Sequence, residues 1–151
     1  AAQHNNIEVI KCLIAYKATV NTEDKSCKTA LIYAVENDAI ASIKYLIRSG
    51  AFTGANETTS YTPVYHAVTC NRTASLRCLI QQHCFNRTDI KPLLAAIARR
   101  NIDMIAYLVS NGIALTRENS IAQAIFYYNR LESITLLIEH GADVHTLTSQ
   151  G

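Results

Sequence analysis

The chain has 151 residues, of which 49% are apolar and 17% charged, and its formal net charge is +2. This length fits one ordinary domain, and the apolar content excludes a disordered, collagenous or linker segment. The nearly balanced charge disfavours a protein that mainly binds nucleic acid, and no apolar run approaches the ~20 residues that span a bilayer. We therefore expect a folded, soluble chain with no nucleic-acid partner and no membrane insertion.

An apolar octet recurs five times along the chain, at spacings of 33, 33, 29 and 29 residues. Its first, fourth, seventh and eighth positions are apolar except at Thr73, which is the pattern of a helix with one buried side. Self-similarity at a fixed period indicates stacked repeats. The octets therefore predict five equivalent helices, at 7–14, 40–47, 73–80, 102–109 and 131–138.

A second short helical stretch precedes each octet. Four of the five stretches begin with alanine, which lets two helices approach closely, whereas Ile125 predicts a differently packed fifth unit. The predicted stretches begin at Ala1, Ala34, Ala67, Ala96 and Ile125. Each unit is thus a helix pair, and the predicted units cover approximately 1–21 (partial), 22–54, 55–87, 88–116 and 117–145, with 146–151 starting a further repeat.

Turn residues follow the octets. Gly50, Gly112 and Gly141 come just after the last periodic residue, where a helix commonly ends with a residue at positive φ. Lys17 and His83 occupy the same place in the first and third units. Because a side chain with a Cβ is costly in this conformation, we expect these two helix ends to be weaker.

The 33-residue period, the segment TPVYHA at 62–67 and the segment GADV at 141–144 together resemble the ankyrin repeat, whose pattern runs from T-P-L-H-x-A-A to L-L-x-x-G-A-D-x-N. The resemblance covers the whole chain, with a degenerate first tetrapeptide in several units. It implies an all-α fold: one ankyrin-repeat solenoid over 1–151, made of stacked helix-turn-helix units joined by β-hairpin-like loops. Since both ends fall inside repeats, we expect a segment of a longer array.

The resemblance also implies that the concave face, formed by the first helices and the hairpin fingers, binds a protein partner. Alignment of the repeats assigns first-helix positions of that face to Gln3, His4, Glu36, Asn37, Thr69, Cys70, Arg99, Tyr127 and Tyr128. The finger tips are assigned to Lys25, Ser26, Lys28, Thr58, Thr59 and Tyr61.

Among these positions, Tyr127, Tyr128 and Arg99 are the strongest candidate anchors, because Tyr and Arg carry much of the binding energy of protein interfaces. Two alternatives stay open. Tyr127 can turn inward in the fifth unit and leave Tyr128 alone outside, and Arg99 can simply be a solvated charge.

Motifs for chemistry are missing from the sequence. It contains no phosphate-binding glycine loop, no nucleophile elbow and no H-E-x-x-H motif, so we expect no enzyme activity and no cofactor. His140, Asp143 and His145 lie in an ordinary repeat turn, and the five cysteines lack C-x-x-C spacing, so we expect no metal site. Cys27 replaces a turn glycine. The odd cysteine count favours a reducing, cytoplasmic location.

The leading functional hypothesis is a non-catalytic adaptor or scaffold that docks another protein of unknown identity. One alternative is an architectural spacer in a larger ankyrin-repeat protein, such as a channel, toxin or filament component. Another is a pathogen ankyrin protein that captures a host factor. Apolar faces at uncapped ends would favour self-association.

Overall fold

The computed structural model describes residues 1–54, 62–113 and 131–139, without the side chains of residues 3, 132, 133 and 136. Within these ranges a 3-10 turn at Ala2–His4 precedes eight α-helices, and there is no β-strand. The helices are α1 (Ile7–Ala15), α2 (Ala30–Glu36), α3 (Ile40–Arg48), α4 (Pro63–Thr69), α5 (Thr73–Gln81), α6 (Lys91–Ala98), α7 (Ile102–Ser110) and α8 (Leu131–Glu139). None of the helices in these ranges is long and apolar enough to cross a membrane.

The five octets form the second helix of each repeat. Helices α1, α3, α5, α7 and α8 each begin at the first residue of an octet and end one residue beyond it, which confirms the predicted set of equivalent helices. The fourth and seventh octet positions provide the core in the three middle helices, where burial of such a side chain contributes about 1.5 to 3 kcal/mol. These buried residues are Ile43, Leu46, Leu76, Leu79, Ile105 and Leu108.

The first helices, α2, α4 and α6, begin about one turn earlier than predicted. Thr29 Oγ1 accepts a hydrogen bond from the N–H of Ile32, and Thr62 Oγ1 accepts one from the N–H of Tyr65. A threonine in this place satisfies an N–H group of the first turn that has no partner inside the helix, so the helix begins there. The predicted starts at Ala34 and Ala67 were therefore wrong. The predicted start at Ala96 was also wrong, because α6 begins at Lys91.

These alanines still have the predicted packing role. Ala34, Ala67 and Ala96 are fully buried. In the first part of the chain α2 packs against both α3 and α4, and in the second part α6 packs against α7. A larger side chain at these positions would push the first helix away from its neighbours.

A residue at positive φ follows α1, α3, α5 and α7, as predicted from the turn glycines. The φ angles are 62° at Lys17, 84° at Gly50, 58° at His83 and 81° at Gly112. Gly141 lies outside the described residues. The prediction that Lys17 and His83 adopt a conformation that favours glycine is confirmed.

A second set of left-handed residues, which the sequence analysis missed, follows the first helices. The φ angles are 51° at Asn5, 50° at Asp38, 57° at Asn71 and 56° at Arg100. Asparagine and aspartate tolerate this conformation better than most residues, because their short polar side chains hydrogen-bond locally. In the four repeats whose first helix is described, that helix therefore ends in a tight turn without glycine.

Two of these left-handed residues cap a helix in the next repeat. The Oδ1 atom of Asp38 accepts hydrogen bonds from the Ser75 N–H at 2.9 Å and from the Ser75 hydroxyl at 2.6 Å. The Oδ1 atom of Asn5 contacts the N–H and hydroxyl of Ser42 in the same way, at 3.3 and 3.0 Å. Both serines are fully buried.

These contacts replace a missing local cap. Helices α3 and α5 begin after Ala39 and Arg72, and neither residue makes a side-chain cap hydrogen bond. By contrast, Asn6 caps α1 and Asn101 caps α7 from within their own repeats. The N-terminal turns of α3 and α5 therefore depend on the preceding repeat for a hydrogen-bond acceptor.

The chain divides into two compact units, Ala1–Phe85 and Asn86–Gly151. In the first unit α3 packs against α1, α2 and α5, and α4 packs against α2 and α5. In the second unit α7 packs against α6 and α8. The single domain and the repeat boundaries inferred from the sequence stay predictions.

Substitution of His83 by glycine should stabilise the chain. Glycine adopts a φ of 58° without the cost that a Cβ imposes, so we expect the free energy of unfolding of His83→Gly to rise by about 0.5 to 1 kcal/mol in urea denaturation. The control is Gln82→Gly, one residue earlier at a φ of −87°, which should lower the free energy of unfolding. Equal or lower stability of His83→Gly would show that this helix end is not strained.

Candidate functional site

The concave-face residues predicted in the second and third repeats lie at the ends of α2 and α4. Glu36 and Thr69 are the last residues of these helices, and Asn37 and Cys70 follow them at the capping positions. Glu36, Thr69 and Cys70 are half-buried, whereas Asn37 is exposed. The predicted pairs thus lie at helix ends, because each helix begins one turn earlier than the sequence pattern indicated.

A tight turn at residues 24–28 forms the finger of the second repeat. The Asp24 N–H donates to the Lys28 carbonyl at 3.1 Å, and the Cys27 N–H donates to the Asp24 carbonyl at 3.0 Å. Cys27 has a φ of 55°, so a left-handed residue follows the turn as in three-residue hairpin loops. This confirms that Cys27 replaces a turn glycine. Lys25 and Ser26 lie exposed at the tip.

The carboxylate of Asp24 holds this finger in shape. Its Oδ1 atom accepts hydrogen bonds from the backbone N–H groups of Ser26 at 2.8 Å and Lys28 at 3.0 Å, and its Oδ2 atom accepts one from the Tyr33 hydroxyl at 2.5 Å. The bond from Tyr33 is the main cause that lowers the pKa of Asp24, and it raises the pKa of Tyr33. Since Tyr33 lies on α2, the finger is tied to that helix.

Lys28 makes a second tie between the finger and α2. Its ammonium lies 2.8 and 3.0 Å from the two carboxylate oxygens of Glu36 and 5.5 Å from the ring centroid of Tyr33. The hydrogen bond with Glu36 raises the pKa of Lys28. The Glu36 side chain is only 16% exposed, so solvent screens this pair less than it screens a fully exposed one.

His66, on α4, connects Glu36 to the third repeat. Its Nδ1 atom lies 3.0 Å from Glu36 Oε1, and its side chain is 13% exposed. Burial lowers the pKa of His66, and this effect outweighs the nearby Glu36 carboxylate, which acts in the opposite direction. A neutral imidazole protonated on Nδ1 can therefore donate a hydrogen bond to Glu36 at neutral pH.

Three of these side chains have atoms that can ligate a metal. A carboxylate oxygen of Glu36, a ring nitrogen of His66 and the Sγ atom of Cys70 all lie within 4.8 Å of one another. We call Lys28, Glu36, His66 and Cys70 the Glu36 cluster. Lys28, Glu36 and Cys70 were predicted from the sequence as surface residues, whereas His66 was not. The available signal was its position four residues before Cys70, which places both residues on one side of α4.

The other predicted surface residues are not brought into this cluster. His4 is exposed in the first repeat, and Arg99 is exposed at the C-cap of α6 in the second unit. The remaining predicted positions lie outside the described residues, as does the side chain of Gln3. They are Thr58, Thr59, Tyr61, Tyr127 and Tyr128. The preference for Tyr127, Tyr128 and Arg99 as anchors therefore stays a prediction.

The five cysteines are free and differ in exposure. Cys12 and Cys27 are exposed, Cys70 is half-buried in the Glu36 cluster, and Cys78 and Cys84 are buried. Burial raises the pKa of the Cys78 and Cys84 thiols. The exposed thiols are therefore accessible to alkylating reagents, while the two buried thiols are neither accessible nor readily ionised.

The rate of alkylation should distinguish the exposed thiols from the buried ones. At neutral pH we expect iodoacetamide to modify Cys12 and Cys27 in the folded chain at least about ten times faster than Cys78 and Cys84, as measured by peptide mass spectrometry. In urea all five thiols should react at similar rates. Rapid modification of Cys78 or Cys84 without urea would contradict their burial.

Comparisons with known proteins agree with this architecture. Residues 1–89 and 42–119 match the family described as ankyrin repeats (3 copies). The crystal structure of an ankyrin repeat domain from Acinetobacter baumannii AYE superposes with a TM-score of 0.73, covering 95% of this chain and 80% of that chain at 22% sequence identity. At this identity the likeness shows the fold alone.

A curated relative shares a short stretch of sequence. Over 56 residues, or 36% of this chain, the sequence is 41% identical to alpha-latroinsectotoxin-Lt1a from Latrodectus tredecimguttatus. The chain spans only 4% of the length of that toxin. The family match extends over more than half of the chain, and the described helix pairs repeat as in the matched ankyrin repeat structure. Members of this family generally serve as protein-protein interaction modules. The chain therefore belongs to the ankyrin repeat family.

Proposed function

We propose that this chain is a non-catalytic adaptor or scaffold that docks a protein partner on the surface formed by the finger at 24–28 and the ends of α2 and α4. The observation that carries this proposal is the anchoring of the finger by Asp24 and Lys28. A loop that is already ordered loses less conformational entropy on binding, which strengthens association.

The chemistry of this surface favours a polar partner with acidic groups. The Lys28 charge is already paired with Glu36, whereas Lys25 lies exposed at the finger tip beside Ser26. Asn37 and Thr69 add hydrogen-bonding groups at the helix ends. An acidic residue of the partner facing Lys25 would increase the association rate, as rim charges commonly do.

A second set of contacts belongs to the same proposal. Arg99 is exposed in the second unit, and we retain it with Tyr127 and Tyr128 as proposed anchors for the partner.

The five free cysteines support a reducing, cytoplasmic location, where thiols stay unpaired.

An architectural spacer is the alternative with support of its own. Lys17 and His83 adopt positive φ where glycine would be less strained, and a repeat clamped between neighbours tolerates such positions. The matched stretch of the latroinsectotoxin is a small part of a much longer protein, as a spacer segment would be.

A pair of charge reversals distinguishes these functions. Lys25→Glu changes the finger tip, and Lys44→Glu makes the same change at an exposed position of α3. We expect Lys44→Glu to retain a partner that the unmodified chain captures from lysate. Lys25→Glu should lower the affinity for that partner about tenfold or more. Bound proteins would be quantified by mass spectrometry, with circular dichroism to show that both variants fold.

Two results would count against the docking proposal. Equal retention of every partner by Lys25→Glu and Lys44→Glu would remove the finger from the binding surface. Capture of no specific protein by the unmodified chain would favour the spacer.

A further inference from the structure

The Glu36 cluster brings together three kinds of metal ligand from two repeats. Glu36 ends α2, while His66 lies on the next first helix, α4, and Cys70 caps that helix four residues later. The carboxylate, imidazole and thiol atoms lie within 4.8 Å of one another, and all three residues are half-buried. Partial burial keeps bulk water from competing fully for these ligands while leaving room for a small ion to enter.

The ligand types select the ion. Thiolate and imidazole with one carboxylate are the ligands of Zn²⁺, whereas Ca²⁺ and Mg²⁺ require several oxygen ligands. With Zn–S near 2.3 Å and Zn–N and Zn–O near 2.0 Å, tetrahedral coordination places ligand atoms about 3.3 to 3.6 Å apart. The observed separation of Glu36 Oε1 from His66 Nδ1 is 3.0 Å, already within reach of that geometry.

We propose that Glu36, His66 and Cys70 bind one Zn²⁺ ion, with water as the fourth ligand. Binding replaces the proton of the Cys70 thiol by the metal, and that proton leaves to solvent. If Nδ1 is the ligating nitrogen, the proton that it shares with Glu36 moves to Nε2. No oxidation or reduction is involved. The site goes beyond the proposed protein-binding role and does not depend on it.

Lys28 regulates this site. Its ammonium contacts both oxygens of Glu36, so the ammonium and the ion would share one carboxylate while their positive charges repel each other. The protein thus carries a built-in cation that competes with the metal. Removal of the Lys28 charge should therefore strengthen metal binding, a result that a merely structural ion pair would not produce.

The ion would also join two repeats. Glu36 belongs to the second repeat, and His66 and Cys70 belong to the third. A ligand that binds only the folded state raises stability by mass action, so Zn²⁺ in hundredfold excess over its Kd should raise Tm by about 5 °C or more.

The experiment uses the complete 151-residue chain with a non-thiol reductant and Co²⁺ as the spectroscopic probe. We expect a one-to-one complex with a thiolate-to-cobalt charge-transfer band and tetrahedral visible bands, both removed by added Zn²⁺. Cys70→Ala should abolish the charge-transfer band, and His66→Ala should weaken binding by about tenfold or more, because each removes a ligand. Lys28→Met should strengthen binding about tenfold.

The matched control is Cys12→Ala, which removes an exposed thiol on α1 and should leave the cobalt spectrum unchanged. Circular dichroism in the absence of metal verifies that each variant folds, and Lys28→Met keeps all three ligands if another variant does not fold. The proposal is overturned by the absence of a charge-transfer band in the unmodified chain. A band that persists in Cys70→Ala, or weaker binding in Lys28→Met, would also overturn it.

Discussion

The hydrogen bonds that Ser75 donates to Asp38 connect the end of one first helix to the beginning of a second helix in the next repeat. Helix α5 has no side-chain cap of its own, so Asp38 supplies the missing acceptor. Aspartate adopts a φ of 50° at less cost than most residues, and a hydrogen bond to a charged group contributes about 1.5 to 3 kcal/mol. Asp38 makes this contribution only when the neighbouring repeat is in place, and Asn5 repeats the arrangement with Ser42.

This link also determines where the side chains of the Glu36 cluster lie. Glu36 is two residues before Asp38, and its backbone carbonyl accepts a hydrogen bond from Arg72 Nε at 2.7 Å. With the end of α2 fixed against the third repeat, the Glu36 carboxylate reaches His66 on one side and Lys28 of its own finger on the other. Docking of a protein at the finger and binding of Zn²⁺ in the Glu36 cluster would both use a surface that neither repeat forms alone.

The second helices and the strained helix ends could be predicted from the sequence, because an octet with periodic apolar positions and a recurring glycine position leave few alternatives. Lys17 and His83 were identified in this way. The starts of α2 and α4 were misplaced because the capping by Thr29 and Thr62 was weighed less than the alanines. Asp38 gave no signal, since aspartate is common both in turns and on exposed helix faces. The spacing of His66 and Cys70 was a signal within one repeat, but the contact of His66 with Glu36 could not be predicted, because Glu36 lies in another repeat and only the stacking register brings the two together.

Asp38 and Ser75 couple neighbouring repeats, and a double-mutant cycle measures that coupling. Asp38→Gly removes the carboxylate while keeping positive φ accessible, and Ser75→Ala removes the hydroxyl. The free energy of unfolding of each single variant, the double variant and the unmodified chain would be measured in urea. We expect the double variant to lose about 1 to 2 kcal/mol less than the sum of the single losses. Additivity within about 0.3 kcal/mol would contradict it.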